Sequence, residues 1–339
     1  MPALAVADAL RADGAEVVFV GGQRAEAQLV PAAGYDFKPL VVKPLPRDGR
    51  RVSGSARAAV TDAGALTRAL ALLGEVRAAA VLGAGGYVAG PTGLAAVMRR
   101  TPLVLMEADS HLGLTNRLLA PFAHRICLAF PIEGRNGARY RVYGRPVPAP
   151  ATDREAARAR FAVGPDEQCV LVFGGSQGAR SINRAAIEAF RGAQFRVLHA
   201  AGERNVSELE PPGPRYDLRA YIPNFSEALL ASDVVVARAG GSIFEIAAQG
   251  RPAVLVPYPY ATADHQMLNA RFMADAGAAV VIPDSELTPA RLAEEVGRLL
   301  ADPARAAAMA KAALSVARPR AAQQIAAEVM AAAKQGRSR

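Results

Sequence analysis

Short apolar runs, spaced by longer amphipathic stretches, limit what this chain can fold into more than any other feature. The runs fall at residues 16–20, 79–82, 103–106, 125–129, 170–173, 195–200, 218–221, 234–237, 253–257 and 279–282. Helical patterns lie between them, among them 3–13, 115–120, 181–190, 226–230, 243–249 and 266–276. Runs such as VLVF (170–173) and VVVA (234–237) are apolar at every position, so both faces of the strand must be covered. Strand–helix alternation of this kind predicts the α/β class, with parallel sheets flanked by helices. The stretch YGRPVPAPATD (143–153) carries three prolines and interrupts the pattern, as a linker does. A chain of 339 residues accommodates a domain on each side of it. The expected division is an N-terminal domain 1–144, a linker 145–153, a second domain 154–318, and a tail 319–339 packing back toward the first. Two doubly wound, Rossmann-like sheets facing a cleft would bind ligands beyond the carboxyl ends of their strands.

The formal net charge is +9 and comes almost wholly from arginine, since the only lysines are Lys38, Lys43, Lys311 and Lys334. Such a surface suits anionic lipid, a phosphorylated substrate or nucleic acid. Aromatics make up only 6% and no motif interleaves them with basic residues, which argues against nucleic acid. No apolar run approaches the roughly 18 residues of a membrane-spanning helix. The opening MPALAVADALRADGAE lacks the pattern of a signal peptide. A cytoplasmic placement is expected, with peripheral membrane contact left open. Cys127 and Cys169 sit in apolar runs without metal-ligand spacing and read as buried thiols.

Glycine turns follow the strand candidates and carry the chemistry. In FGGSQGA, Gly175, Ser176, Gln177 and Gly178 let the backbone bend tightly and aim amides at an anion, with the next helix pointing its positive end the same way. The pattern is not a Walker A loop, and a tight turn without ligand is the competing reading. In ARAGGSIFEIAAQG, Gly240 and Gly241 again end a strand, and Glu245 falls early in the following helix. A carboxylate there can accept both hydroxyls of a ribose, or simply complement the helix dipole. His265 and Gln266 open another helix and either recognise sugar hydroxyls or face solvent.

Together these segments resemble the MurG family of glycosyltransferases, of the GT-B fold. The resemblance runs nearly end to end: RAEAQLVPAAGY (24–35), GAGGYVAGP (83–91), GLTNRLLA (113–120), VFGGSQGARSIN (172–183), HAAG (199–202) and YIPNF (221–225). It implies an inverting transfer of N-acetylglucosamine from UDP-GlcNAc to the 4-hydroxyl of the N-acetylmuramoyl unit of lipid I, forming lipid II for peptidoglycan at the cytoplasmic face of the membrane. It implies no cofactor and no metal. Ser176 would contact the donor phosphate, Ile222 pack beside uracil, Glu245 take the ribose, and His265 with Gln266 take the sugar. Gly85, Gly86 and Tyr87 would face the acceptor diphosphate, with Asn116 and Arg145 on the same side. Asp109, in Glu107-Ala108-Asp109, is expected to be a sugar-site residue rather than a metal ligand.

The chain departs from the family pattern in several places. Its opening matches the helix that follows the family's first strand and first glycine loop, so both are missing, and with them the histidine the family offers as general base. The catalytic base is therefore unassigned, with Asp109 as the remaining candidate, and a start codon placed too late is the expected cause of the missing loop. Asp109 stands where asparagine is usual, Ala89 replaces a serine, and Arg145 stands in for an arginine expected near Pro148. The loop before Glu245 is one residue short. Residues 47–77 offer a membrane-facing candidate, Arg47, Arg50, Arg51 and Arg57, then Leu66, Leu70 and Leu73 on one helix face; on pattern alone a core-facing helix with a solvated basic loop explains them better, and only the resemblance favours the membrane. Rival readings are another GT-B transferase, a sugar-nucleotide epimerase, or a nucleotide-sugar-binding subunit that needs a partner.

Overall fold

The computed structural model describes residues 2–23, 25–42, 63–175, 177–261 and 264–337. Ser176 and the arginines Arg47, Arg50, Arg51 and Arg57 lie outside the described residues. The chain divides into two compact units, Met1–Val147 with Arg318–Arg339, and Pro148–Ala317.

The first unit runs α1 (Pro2–Ala12), β1 (Val18–Gly21), α2 (Glu26–Ala32), β2 (Asp36–Pro39), α3 (Ala63–Glu75), β3 (Val81–Gly83), α4 (Ala89–Met98), β4 (Leu103–Glu107), α5 (Leu114–Leu119), β5 (Arg125–Leu128) and β6 (Tyr140–Val142). All its strand pairs are parallel, but they form two sheets, β1–β2 and β3–β4–β5–β6. Side chains nevertheless pack continuously past the division. Val20 beside β2 shares a cluster with Val81 of β3, and Val17 shares another with Ala80 and Leu82. Among the described residues, the edges of β1 and β3 away from their partners carry no ladder.

The three leucines of the expected membrane-facing stripe turn inward. Leu73 is buried in the unit's core and Leu66 and Leu70 pack against it. A stripe at helical spacing serves a core or a membrane equally, and here α4 is its partner. The exposed apolar residue nearby is Met98, 57% exposed, followed by exposed Arg99 and Arg100. The C-terminal helix Ala321–Arg337 belongs to this unit: Ile325, Ala326 and Val329 pack with Val6 and Leu10 of α1 and with Val104 and Met106 of β4.

The second unit comprises α6 (Arg154–Arg160), β7 (Cys169–Phe173), α7 (Arg180–Ala189), β8 (Arg196–Ala200), α8 (Glu203–Val206), β9 (Tyr216–Arg219), α9 (Phe225–Ala231), β10 (Val234–Ala237), α10 (Ile243–Ala248), β11 (Ala253–Leu255), α11 (His265–Asp275), β12 (Ala279–Val281), α12 (Pro289–Ala301) and α13 (Pro303–Val316). Its six-stranded parallel sheet has the order β12–β11–β10–β7–β8–β9. β7 and β10 are buried along their whole length, which explains why neither alternates in sequence. Asp153, Thr288 and Asp302 cap α6, α12 and α13 by accepting amides of Ala156, Arg291 and Arg305. Chain order reverses between β7 and β10: the strands after β7 build outward to β9, then return to its other side. That junction is a topological switch point, where a crevice opens at the carboxyl ends of the strands.

Candidate active site

Register places the second unit's two glycine turns side by side. Val234 pairs with Val170 and Ala237 with Phe173, so β7 and β10 end level and their turns emerge together at the switch point. After β7, Gly175 has φ +89° and Gly178 φ +72°, and the Gly178 amide donates to the Gly175 carbonyl at 3.0 Å. A Cβ on Gly178 would stand 1.8 Å from the carbonyl oxygen of Ala201, so only glycine fits. No side chain caps the first turn of α7, leaving its amides directed at the same crevice. After β10, Gly240 and Gly241 lead into α10, also without a side-chain cap, and Glu245 is half-buried in its first turn.

The third wall is the start of α11. Asp264, at φ +52°, turns the chain into the helix at His265. Gln266 accepts the Tyr258 amide through Oε1 at 3.0 Å, and its amide nitrogen is the donor end of the side chain. Asn269 donates to the carbonyl of Ala239 at 2.9 Å, tying α11 to the turn that carries Gly240. Ile222 is buried at 2% exposure, while Tyr221 beside it is 65% exposed, so the side chain offered to solvent by that turn is Tyr221.

Beneath these turns lies a charged network that no sequence motif announced. Arg238 directly follows β10 and is buried; it donates to Asp284 Oδ1 at 2.5 Å, to Ser181 Oγ at 2.8 Å, and to the carbonyls of Val256 and Pro257. Ser181 in turn donates to Asp284 at 2.7 Å. Because Asp284 offsets the guanidinium, this corner joins α7, β10 and the strand ends without adding much net charge. The only sequence signal was an arginine two residues before Gly240. Behind the first turn, His199 is fully buried between Tyr216 (2.7 Å) and Asn183 (3.0 Å). Burial lowers its pKa to about 4, so the imidazole is neutral.

The first unit holds a second set. Gly85 and Gly86 have φ +83° and +78°, with open space where side chains would stand. Thr115 donates to the Gly86 carbonyl at 3.2 Å, linking that turn to α5. Tyr87 places its hydroxyl against Gly22, 2.6 Å from where a Cβ would be. Glu107, the last residue of β4, is buried and holds its own loop: it accepts the amides of Asp109 (3.2 Å) and Gly113 (2.8 Å) and the Asn116 side chain (3.0 Å). A carboxylate engaged by three N–H groups is a scaffold. Asn116, 1% exposed, also donates to the Met106 carbonyl and is equally part of that scaffold. Arg145 donates to the carbonyl of Ala108 at 3.3 Å. The loop thus gathers Asp109, Asn116, Arg145 and, through Thr115, Gly86. Asp109, expected as a sugar-site residue, stands on this loop of the first unit.

The glycosyltransferase family 28 N-terminal domain matches residues 1–128 and the family 28 C-terminal domain residues 169–325. Two parallel α/β units, each matched by one half of that family, define the class as a GT-B glycosyltransferase. A UDP-N-acetylglucosamine–N-acetylmuramyl-(pentapeptide) pyrophosphoryl-undecaprenol N-acetylglucosamine transferase of Rubrobacter xylanophilus is 38% identical, over 98% of this chain and 99% of its own length. One of the same name from Halorhodospira halophila is 40% identical over 96% and 92%. The crystal structure of Acinetobacter baumannii MurG superposes with a TM-score of 0.74 at 27% identity, over 97% of this chain and 95% of that one. The chain belongs to the MurG family of hexosyltransferases.

Proposed function

We propose that this protein transfers N-acetylglucosamine from UDP-GlcNAc to the 4-hydroxyl of the N-acetylmuramoyl unit of lipid I, at the cytoplasmic face of the membrane. The observation that carries the donor half is the register of β7 and β10, which sets two glycine turns and two uncapped helix starts at one switch point. A diphosphate suits the Gly175–Gln177–Gly178 backbone and the start of α7, with Ser176 as a further ligand. Glu245 takes the ribose hydroxyls beside Gly240 and Gly241. His265 and the amide nitrogen of Gln266 face the sugar, and the turn bearing Ile222 meets the base. Gly85, Gly86, Tyr87 and Arg145 serve the acceptor, over a loop that Glu107 and Asn116 hold in shape. Asp109, on that loop, is a further sugar-site residue.

The reaction is an inverting displacement. The acceptor hydroxyl oxygen forms a bond to the anomeric carbon as the bond to the UDP oxygen breaks, its proton is released to water, and amides together with helix starts stabilise the departing diphosphate without a metal. Membrane contact is peripheral: among the described residues no helix is long and apolar enough to cross a bilayer. Met98 with Arg99 and Arg100 is the exposed apolar and basic combination that suits an anionic surface.

Release of UDP, followed with a lipid I analogue and with unrelated acceptors, tests the assignment. Turnover with the analogue alone is expected; equal turnover with any hydroxyl acceptor would overturn it. Glu245→Gln should weaken UDP binding about ten-fold in calorimetry, since a neutral amide replaces a charged acceptor of two hydroxyls. Unchanged binding would remove Glu245 from the ribose.

A further inference from the structure

We infer that Asn205 is a positioning residue for the diphosphate turn, an inference that rests on the donor reading above. Asn205 stands on the short helix α8, is 7% exposed, and bonds to three different elements. Its Nδ2 donates to the Gln177 carbonyl at 3.0 Å and to the Ala201 carbonyl at 3.3 Å. Its Oδ1 accepts from Nε of Arg180, the first residue of α7, at 3.4 Å. One side chain thereby joins the turn after β7, the turn after β8, and the helix whose amides face the crevice.

Backbone packing shows how closely these pieces meet. A Cβ on Gly202 would stand 2.6 Å from the Gln177 carbonyl oxygen, as one on Gly178 would collide with Ala201. The peptide unit between Gln177 and Gly178 is consequently fixed at both ends. Its N–H donates to Gly175 and its carbonyl accepts from Asn205. Two carbonyls that would repel an anion, those of Gly175 and Gln177, are thus occupied by protein donors. From behind, Asn183 donates to the Ala201 carbonyl at 2.9 Å and is itself held by His199. Ala201 therefore receives two side-chain amides, and Asn205 is the one that reaches on to the phosphate turn.

Losing that donor frees the Gln177 carbonyl to rotate toward the ligand, a cost paid only when phosphate is present. The test is calorimetry on the full chain and on Asn205→Ala, with UDP, UMP and uridine as probes, alongside thermal melts. Asn205→Ala should bind UDP and UMP about ten-fold more weakly while uridine binding stays unchanged. Asn205→Ser, which keeps a hydroxyl donor on a small side chain, should lose less and guards against a variant that does not fold. Equal weakening of uridine and UDP would make Asn205 merely structural and overturn the inference, as would unchanged UDP binding in both variants. An unaltered chain that binds no UDP overturns the donor reading itself, a separate result.

Discussion

His199 shows what a single buried side chain contributes to this molecule. Enclosed by Tyr216 and Asn183, it titrates at about 4 in the folded chain against an ordinary value of 6.5. Folding therefore favours the neutral ring, and between those values the unfolded chain holds more protons. The stabilisation is complete above about pH 6.5 and is lost as pH falls toward 4, by up to roughly 3 kcal/mol. Thermal melts of the second unit should accordingly drop in midpoint from pH 7.5 to pH 5, and His199→Gln should flatten that slope. An equally steep slope in the variant would place the titration elsewhere. The sequence made the glycine turns and Glu245 legible because their spacing is local. It could not reveal Arg238, Ser181 and Asp284, whose partners lie 57 and 46 residues apart and meet only through the sheet order.

At the scale of elements, strands buried on both faces were plain from their composition, and β7 and β10 stand where the apolar runs predicted. Strand β2, Asp36–Pro39, escaped because DFKP mixes charge, aromatic and proline and has no apolar run. β6, Tyr140–Val142, is an edge strand of three half-exposed or exposed residues and gave no periodic signal. The stripe of Leu66, Leu70 and Leu73 was visible, but periodicity does not say what covers it. The division of the first unit's strands into two sheets has a measurable effect. Among the described residues, amides of β1 and β3 are bonded on one side only, so they should exchange with solvent faster than those of β4, which has neighbours on both sides. Mass-spectrometric hydrogen exchange checks this; equal protection would mean that the two sheets are joined in solution.

The whole molecule departs from a simple two-part reading in one respect: the first unit is made from both ends of the chain. Ile325, Ala326 and Val329 complete a core whose other members come from α1, β4 and β5, and Glu328 anchors the helix to Arg125 at 2.9 Å and Tyr143 at 2.6 Å. Burial pushes the Glu328 carboxyl up, but the Tyr143 hydroxyl and the Arg125 guanidinium outweigh it and its pKa falls below the ordinary value. That contribution is present above the ordinary carboxylate range and fades in acid. Each buried Ile or Val is worth about 1.5–3 kcal/mol, a large share of a typical domain's total. Removing residues 321–337 should therefore unfold the first unit and spare the second. Scanning calorimetry would show one transition lost, while heat of UDP binding persists. Loss of both would mean that neither unit stands alone.

The margins of β1 and β3, which carry no ladder among the described residues, also bear on how the protein behaves in concentrated solution. A strand with free amides and carbonyls welcomes any extended backbone of suitable register, and another copy supplies one. Pairing of that kind would rise with protein concentration.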